Sequence, residues 1–272
     1  MKGMKILVPT DFSKNAEAAL RYAIGLAADT HSSLIILHSY RLLQTTVPTV
    51  DQSPFSIKNQ WDKDTWEKFR KLEKTVIKGS KIKYSFEVDV GFASDAIISS
   101  AESNKIDLLV MGSAGAGKIS QLLGSTTLKM MEKVKWPFMV IPTNAEYSRF
   151  DNIVFAYDNK LIKHPANLNV LMDYIKTFNS KLEILYVCSE NEVTDENILL
   201  LGEQFDGTDH TFTSIKSDSI PEGILNHLKG TSTNVLVVFK RDHTLIEKVF
   251  NYSVTKKLIL HSELPLLVLH ES

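Results

Sequence analysis

The sequence predicts an α/β protein with two tandem Rossmann-like or flavodoxin-like domains, each an open five-stranded parallel sheet with helices on both faces. Three observations predict this fold class. Short aliphatic runs alternate with longer segments of helical periodicity, as in βαβ units, and the same order of segments occurs twice. The length of 272 residues suits two domains of roughly 150 residues each.

In the first half, the aliphatic runs predict five strands. They cover residues 6–8, 34–38, 84–90, 106–111 and 138–141. Helices are predicted between them: one begins after the caps Asp11 and Ser13, and two others cover 93–104 and 124–133. A further helix carries an apolar, partly aromatic stripe that we interpret as core packing. Its members, at spacings of three and four, are Trp66, Phe69, Leu72 and Val76.

The second half repeats the first. Residues 153–158 match 6–11, so that Asp158 corresponds to Asp11 at an offset of 147. The match between Asp107 and Asn234 has an offset of only 127, because the first copy carries 21 additional residues around its second helix. The offset then grows by one residue, from 127 to 128, before Pro137 and its counterpart Pro265. The first copy is therefore one residue shorter than the second between Val110 and Pro137. The predicted domains are residues 1–147 and 148–272.

Composition excludes several classes of protein. The net charge is −1, so the chain offers no broad basic field for nucleic acid. No apolar run approaches the roughly 20 residues of a membrane span, and the amino terminus enters a strand without a signal peptide. The single cysteine, Cys188, cannot form an internal disulfide. We expect a cytoplasmic protein that binds neither nucleic acid nor membrane, with Cys188 as a structural thiol.

The most informative segment is 111–118, Met-Gly-Ser-Ala-Gly-Ala-Gly-Lys. It follows a strand, and the next helix begins at Gly124-Ser125-Thr126. Glycines let backbone N–H groups approach an anion, and a helix N-terminus adds free donors and a favourable dipole. The segment therefore predicts a phosphate site, and the alternative is a flexible surface loop before a capped helix.

A P-loop is a second interpretation of this segment, because Gly112 to Lys118 matches G-x-x-x-x-G-K. A P-loop places serine or threonine next to hold Mg²⁺, whereas this chain has Ile119. No downstream acidic strand offers a metal ligand either. The sequence therefore argues against P-loop hydrolase chemistry.

Two motifs resemble the nucleotide-binding universal stress protein family. Pro9-Thr10-Asp11 follows the first strand, and Gly112-x₂-Gly115 is followed after eight residues by Gly124-Ser125-Thr126. The resemblance covers nearly the whole chain as a tandem pair and implies an adenine nucleotide alpha hydrolase-like fold. The family pattern is G-x₂-G-x₉-G-[ST], so this loop is one residue short, in the region where the repeat also indicates a deletion.

The resemblance implies an adenine-nucleotide site in the first half, for ATP or else ADP or AMP. Asp11 would lie against the ribose or base, and the phosphates, with any Mg²⁺ bound mainly through them, would lie against the glycine loop and the helix start. Ser39 stands where ATP-binding members often have valine. The implied site residues are Pro9, Thr10, Asp11, Ser39, Met111, Gly112, Ser113, Gly115, Gly117, Gly124, Ser125 and Thr126.

The second half lacks the glycine loop, since Phe239 and Asp242 stand where the first half has Gly112 and Gly115. We therefore expect a degenerate second domain. The mixed-charge run 240–243, Lys-Arg-Asp-His, is interpreted as a solvent-exposed loop. No zinc-protease pattern occurs among the histidines, so no metal site is predicted, and His38 is interpreted as a hydrogen-bonded core histidine rather than a catalytic one.

From the resemblance alone we expect nucleotide-dependent binding to an unknown protein partner in a stress response or in signalling. No catalytic residue is predicted. The alternatives are a slow ATPase or phosphoryl-transfer enzyme, and an interaction module with a decayed site. Fifth strands in the family commonly pair across a dimer, so 138–141 and 266–269 could pair within one chain as a pseudo-dimer, which would hide two sheet edges. A homodimer stays open.

Overall fold

Strands and helices alternate along the chain in the computed structural model, which describes residues 3–41, 54–113, 124–162, 164–188, 195–241 and 254–271. The strands of the first half are β1 (Lys5–Pro9), β2 (Ser33–Tyr40), β3 (Lys83–Val90), β4 (Leu108–Gly112) and β5 (Phe138–Ile141). Those of the second half are β6 (Asn152–Tyr157), β7 (Lys181–Cys188), β8 (His210–Lys216), β9 (Val235–Lys240) and β10 (Leu266–His270).

Eight helices lie within these described ranges. They are α1 (Lys14–Thr30), α2 (Pro54–Leu72), α3 (Ala93–Asn104), α4 (Ser125–Lys133), α5 (Asn169–Phe178), α6 (Asp195–Gln204), α7 (Ile220–Leu228) and α8 (254–261). A π-helical turn, Glu73–Ile77, continues α2, and a 3₁₀ turn, Pro165–Leu168, precedes α5. The N-terminus of α1 is capped by Ser13, whose Oγ accepts from the Ala16 N–H at 3.2 Å.

The strands form one ten-stranded sheet in the order β3-β2-β1-β4-β5-β10-β9-β6-β7-β8. Each half therefore has the same strand order, and every pair within a half is parallel. The α/β fold class is confirmed. The pairing predicted between 138–141 and 266–269 is also confirmed: β5 and β10 pair antiparallel, with Leu267 opposite Met139.

Hydrophobic side chains alternate between two cores, one on each face of the sheet, as the period of two in a strand requires. Ile6 and Val8 lie in one core, and Leu7 between them lies in the other. Both cores contain residues from both halves: Phe155 shares the core of Ile6, and Leu185 shares that of Leu7. The cores therefore continue across the β5–β10 junction.

The aromatic stripe of α2 is core packing only in part. Phe69 is fully buried and stacks on Phe86 with ring centroids 4.4 Å apart. Trp66 is 44% exposed, so for this residue the interpretation is wrong. The tryptophan packs edge-on against Phe69 at 5.6 Å, which covers one part of its ring and leaves the rest at the surface.

Candidate functional site

The strand order places the candidate residues at a topological switch point. In the first half, β1 lies between β2 on one side and β4 on the other. The strand order therefore changes direction at β1. The helix after β1 packs in one core, and the helix after β4 packs in the opposite core. Parallel sheets bind ligands in the crevice that such a divergence opens at the carboxyl ends of the strands.

A tight turn follows β1 and presents Asp11 to solvent. Pro9 ends the strand, and Thr10 is buried, with its N–H donating to the Leu37 carbonyl at 2.8 Å. The Thr10 Oγ1 accepts from the Phe12 N–H at 3.0 Å, and Phe12 has a φ of 62°, which is uncommon for a bulky residue. Asp11 Oδ1 accepts from the Ser13 N–H at 2.9 Å. Asp11 therefore belongs to the turn, and Ser13 is the helix cap.

His38 supports this turn from β2. Its Nδ1 donates to the Thr10 carbonyl oxygen at 2.7 Å, and its ring lies 4.6 Å from that of Phe12, centroid to centroid. Burial lowers the pKa of His38 below its usual range, so the neutral ring is favoured. This geometry fits a hydrogen-bonded core histidine. The next residue, Ser39, is half-buried beside the turn.

The end of β4 and the start of α4 lie side by side. Met111 is buried, and the Ser113 N–H donates to the Ile141 carbonyl at 2.9 Å. The Gly124 N–H donates to the Ser113 carbonyl at 3.2 Å, and Thr127 Oγ1 donates to the Gly112 carbonyl at 3.0 Å. These bonds bring the two ends of the glycine segment together. Gly115 and Gly117 lie outside the described residues.

Gly112 has a packing role that does not depend on any ligand. A Cβ at this position would lie 2.7 Å from the Asn15 carbonyl oxygen and 3.0 Å from its carbon. The first turn of α1 therefore approaches β4 so closely that only glycine fits. This contact fixes the distance between the Asp11 turn and the end of β4.

The start of α4 carries the features expected of an anion site. Gly124 stands at the N-cap, and no side chain in the described part of the chain caps this helix end. The first-turn N–H groups of a helix have no partners within the helix. In this first turn Ser125 is exposed and Thr126 is half-buried.

The second half repeats the Asp11 turn, and here an arginine binds the aspartate carboxylate. Asn159 corresponds to Phe12 and has the same left-handed conformation, with φ 53°. The Lys160 N–H donates to Asp158 Oδ1 at 3.3 Å, as the Ser13 N–H does to Asp11. Here, however, Arg241 also donates to both oxygens of Asp158, at 2.8 and 2.9 Å. The corresponding residue in the first half is Ala114.

The interpretation of the run 240–243 as solvent-exposed is wrong for its two described residues. Arg241 is only 3% exposed, and its guanidinium lies 5.4 Å from the Phe239 ring centroid. Lys240 Nζ donates to the carbonyls of Met131 and Glu132, at 2.7 and 3.2 Å, at the end of α4. Lys240 is the last residue of β9 and is half-buried, and the residue types alone do not signal these contacts. Asp242 and His243 lie outside the described residues.

The described residues contain no cluster of three or more His, Cys, Asp or Glu side chains that could hold a metal ion. Among them, no helix has the length and apolar character needed to cross a bilayer.

Two parallel five-stranded units joined edge to edge, with the same aspartate turn after the first strand of each, define a tandem Rossmann-like α/β protein. Residues 4–142 match the family model described as the universal stress protein family. The match covers half of the chain, and the protein belongs to this family.

Three similar proteins are named as universal stress proteins. The universal stress protein MJ0577 of Methanocaldococcus jannaschii is 28% identical over 153 residues, covering 50% of this chain and 93% of its own. A crystal structure of a universal stress protein from Archaeoglobus fulgidus covers 100% of both chains with 20% identity and a TM-score of 0.80, which shows a shared fold. A universal stress protein solved in complex with cAMP is 22% identical over 52% of this chain, with a TM-score of 0.42.

Proposed function

We propose that the first half binds one adenine nucleotide, ATP or else ADP or AMP, and that binding controls association with a protein partner in a stress response or in signalling. The ribose or base lies against Pro9, Thr10, Asp11 and Ser39. The phosphates lie against the glycine segment and the first turn of α4, and they hold any Mg²⁺. The residues on this phosphate side are Met111, Gly112, Ser113, Gly115, Gly117, Gly124, Ser125 and Thr126.

The proposal is carried by one observation. The exposed Asp11 turn and the start of α4 follow the carboxyl ends of the neighbouring strands β1 and β4, at the switch point, and no described side chain caps α4. A carboxylate suits sugar hydroxyls, and a helix N-terminus suits phosphate. A nucleotide carries both groups, sugar hydroxyls at one end and phosphates at the other.

We propose further that residues 1–147 carry the nucleotide site and that residues 148–272 do not bind nucleotide. Arg241 binds the Asp158 carboxylate. On β9, Phe239 stands at the position that corresponds to Gly112 at the end of β4. An aromatic side chain at that point fills space that a phosphate would need.

The test is mass spectrometry of nucleotide released from the purified protein, followed by calorimetric titration with ATP, ADP and AMP in the presence of Mg²⁺. We expect one nucleotide per chain. Gly124→Gln places a side chain over the start of α4, and the loss of one charged hydrogen bond, about 1.5–3 kcal/mol, weakens binding about tenfold or more. The matched control is Gly230→Gln, at a position whose nearest neighbour, the His227 carbonyl, is 3.9 Å from a built Cβ.

Three results would contradict the proposal. They are no bound nucleotide with no measurable affinity, two nucleotides per chain with similar affinity, and a Gly124→Gln variant that binds as the unchanged protein does. The last result alone would remove the phosphate assignment and leave the fold assignment intact.

A further inference from the structure

We propose that this chain binds a second copy of itself through a basic surface at the β3 end of the sheet and an acidic surface at the β8 end of the other copy. The basic surface, residues 66–83, is called the basic end, and the acidic surface, residues 199–212, is called the acidic end. The proposal goes beyond the nucleotide site of the first half and does not depend on it.

The basic end carries an excess of exposed positive charge. It contains seven lysine and arginine residues against two acidic ones, Glu67 and Glu73. Glu73 accepts the Tyr84 hydroxyl at 2.5 Å, which holds the turn after α2 beside the start of β3. All seven cationic side chains are exposed, and none of them forms an ion pair with the described residues. Their charge is therefore available to a partner.

The corresponding surface of the second half is acidic. In the strand order, β8 occupies the place that β3 has in the first half, and α6 packs in the same core as α2. The acidic end contains three acidic residues and no lysine or arginine. All three are exposed: Glu203, Asp206 and Asp209. The two ends of one sheet thus carry opposite charge.

Within one chain the two ends are too far apart to neutralise each other. The outermost of the ten strands are β3 and β8, so nine strand spacings of about 4.8 Å, or roughly 43 Å, separate them. This distance is several times the Debye length of about 8 Å at physiological ionic strength. Contact between two copies brings the opposite charges together.

Charge at the edge of a sheet can also protect a protein from association. Lysines on an exposed edge strand, such as Lys83 at the start of β3, discourage pairing with the edge of another copy. Protection by repulsion requires the same sign of charge at both edges, whereas the basic end and the acidic end have opposite signs. The net charge of −1 adds little repulsion between whole chains. The charge pattern therefore favours association.

Exposed apolar side chains lie within both ends. Trp66 of the basic end is 44% exposed, and Leu199 and Phe212 of the acidic end are 68% and 39% exposed. Protein interfaces combine buried apolar and aromatic contacts with a polar rim, and complementary charge orients the partners. Both kinds of contact are present at each end.

The test is sedimentation velocity of the purified full-length chain at low and high salt. The two conditions are salt concentrations of about 0.01 M and about 1 M, between which the Debye length falls from about 30 Å to about 3 Å. We expect complexes larger than one chain at low salt and single chains at high salt. A contact between two different surfaces generates a ring or a head-to-tail assembly, so the complexes should grow with protein concentration.

Charge reversal at each end makes the test specific. The basic-end variant combines three substitutions: Lys71→Glu, Lys74→Glu and Lys78→Glu. The acidic-end variant combines three others: Glu203→Lys, Asp206→Lys and Asp209→Lys. Each variant alone should associate about a hundredfold more weakly than the unchanged protein, because like charges then face each other. An equal mixture of the two variants should associate again, because each supplies the charge that the other has lost.

The matched control reverses three exposed lysines on and just after α4, near the middle of the sheet: Lys129→Glu, Lys133→Glu and Lys135→Glu. It has the same net charge as the basic-end variant and should associate as the unchanged protein does. The proposal is overturned if the unchanged protein stays a single chain at low salt, including the case in which its basic end binds double-stranded DNA instead. It is also overturned if the basic-end variant, shown to be folded by circular dichroism, associates as strongly as the control.

Discussion

Arg241 holds Asp158 through two hydrogen bonds, from Nε at 2.8 Å and from Nη2 at 2.9 Å. Planar guanidinium and carboxylate groups match in this paired geometry, which is stronger and more directional than a single contact. The same aspartate turn in the first half leaves Asp11 exposed at the crevice. The position of Arg241 corresponds to Ala114 in the first half, so this position cannot supply the same ion pair to the first turn.

Arg241→Ala is expected to lower the free energy of unfolding by about 2–3 kcal/mol. Removing one partner leaves the other charge partly desolvated, which costs about 3–5 kcal/mol for a fully buried pair, and Asp158 is 34% exposed, so water compensates for part of the loss. Urea unfolding measures the change. Asp158→Asn should lower the free energy of unfolding much less in the Arg241→Ala variant than in the unchanged protein. Strictly additive effects of the two substitutions would contradict the pairing.

Gly112→Ala is expected to destabilise the protein by about 1–3 kcal/mol, since its Cβ would force α1 away from β4. The measurement is urea unfolding without nucleotide, so that any ligand effect is excluded. Gly230→Ala is the matched control and should change stability far less, because a Cβ there meets nothing closer than 3.9 Å. Equal stability of the two variants would show that the close approach of Asn15 is not required.

Stability should fall as the pH drops below about 6.5, and His38 should account for part of this fall. Burial lowers the pKa of His38 from its ordinary value of 6.5, so the unfolded chain takes up this proton at a higher pH than the folded one. Its contribution is fully present above pH 6.5 and is lost as the pH falls towards the lowered pKa. His38→Gln keeps a donor for Thr10 and should flatten the slope, measured by urea unfolding between about pH 5 and 7. An unchanged slope would argue against the burial effect.

The junction between the halves should be as protected as the centre of either half. The backbone groups of 138–140 and 266–268 pair in the middle of a ten-stranded sheet, so their amides exchange with solvent only in large-scale opening. Hydrogen exchange with mass spectrometry checks this, with the outer strand β8 as the comparison. If the junction amides exchange as fast as those of β8, the halves separate readily in solution.

Much of the fold follows from local sequence. The helix predicted at 93–104 and the strand predicted at 138–141 have the bounds found in the structure, because each is a short periodic segment with clear ends. The strand predicted at 106–111 is instead Leu108–Gly112. The register of parallel pairing with β1 and β5 decides where this strand ends, and pairing is not a local property.

The candidate site was predictable only where a motif is local. Pro9-Thr10-Asp11 and Gly124-Ser125-Thr126 stand out in the sequence as turn and helix-start residues. Nothing in the sequence shows that Asn15 approaches Gly112, or that Arg241 reaches Asp158 from 83 positions away. Such contacts depend on which strands are neighbours.

The sequence by itself determined the alternation of strands and helices, the repeat, and the presence of a glycine-rich segment in one half and not in the other. These are set by side-chain periodicity and by glycine placement along short stretches of chain. Only the tertiary structure decided that the two halves share one sheet and two cores, and that Arg241 is buried against Asp158. Burial and ion pairing depend on distances between segments far apart in sequence, and only the packed sheet fixes those distances.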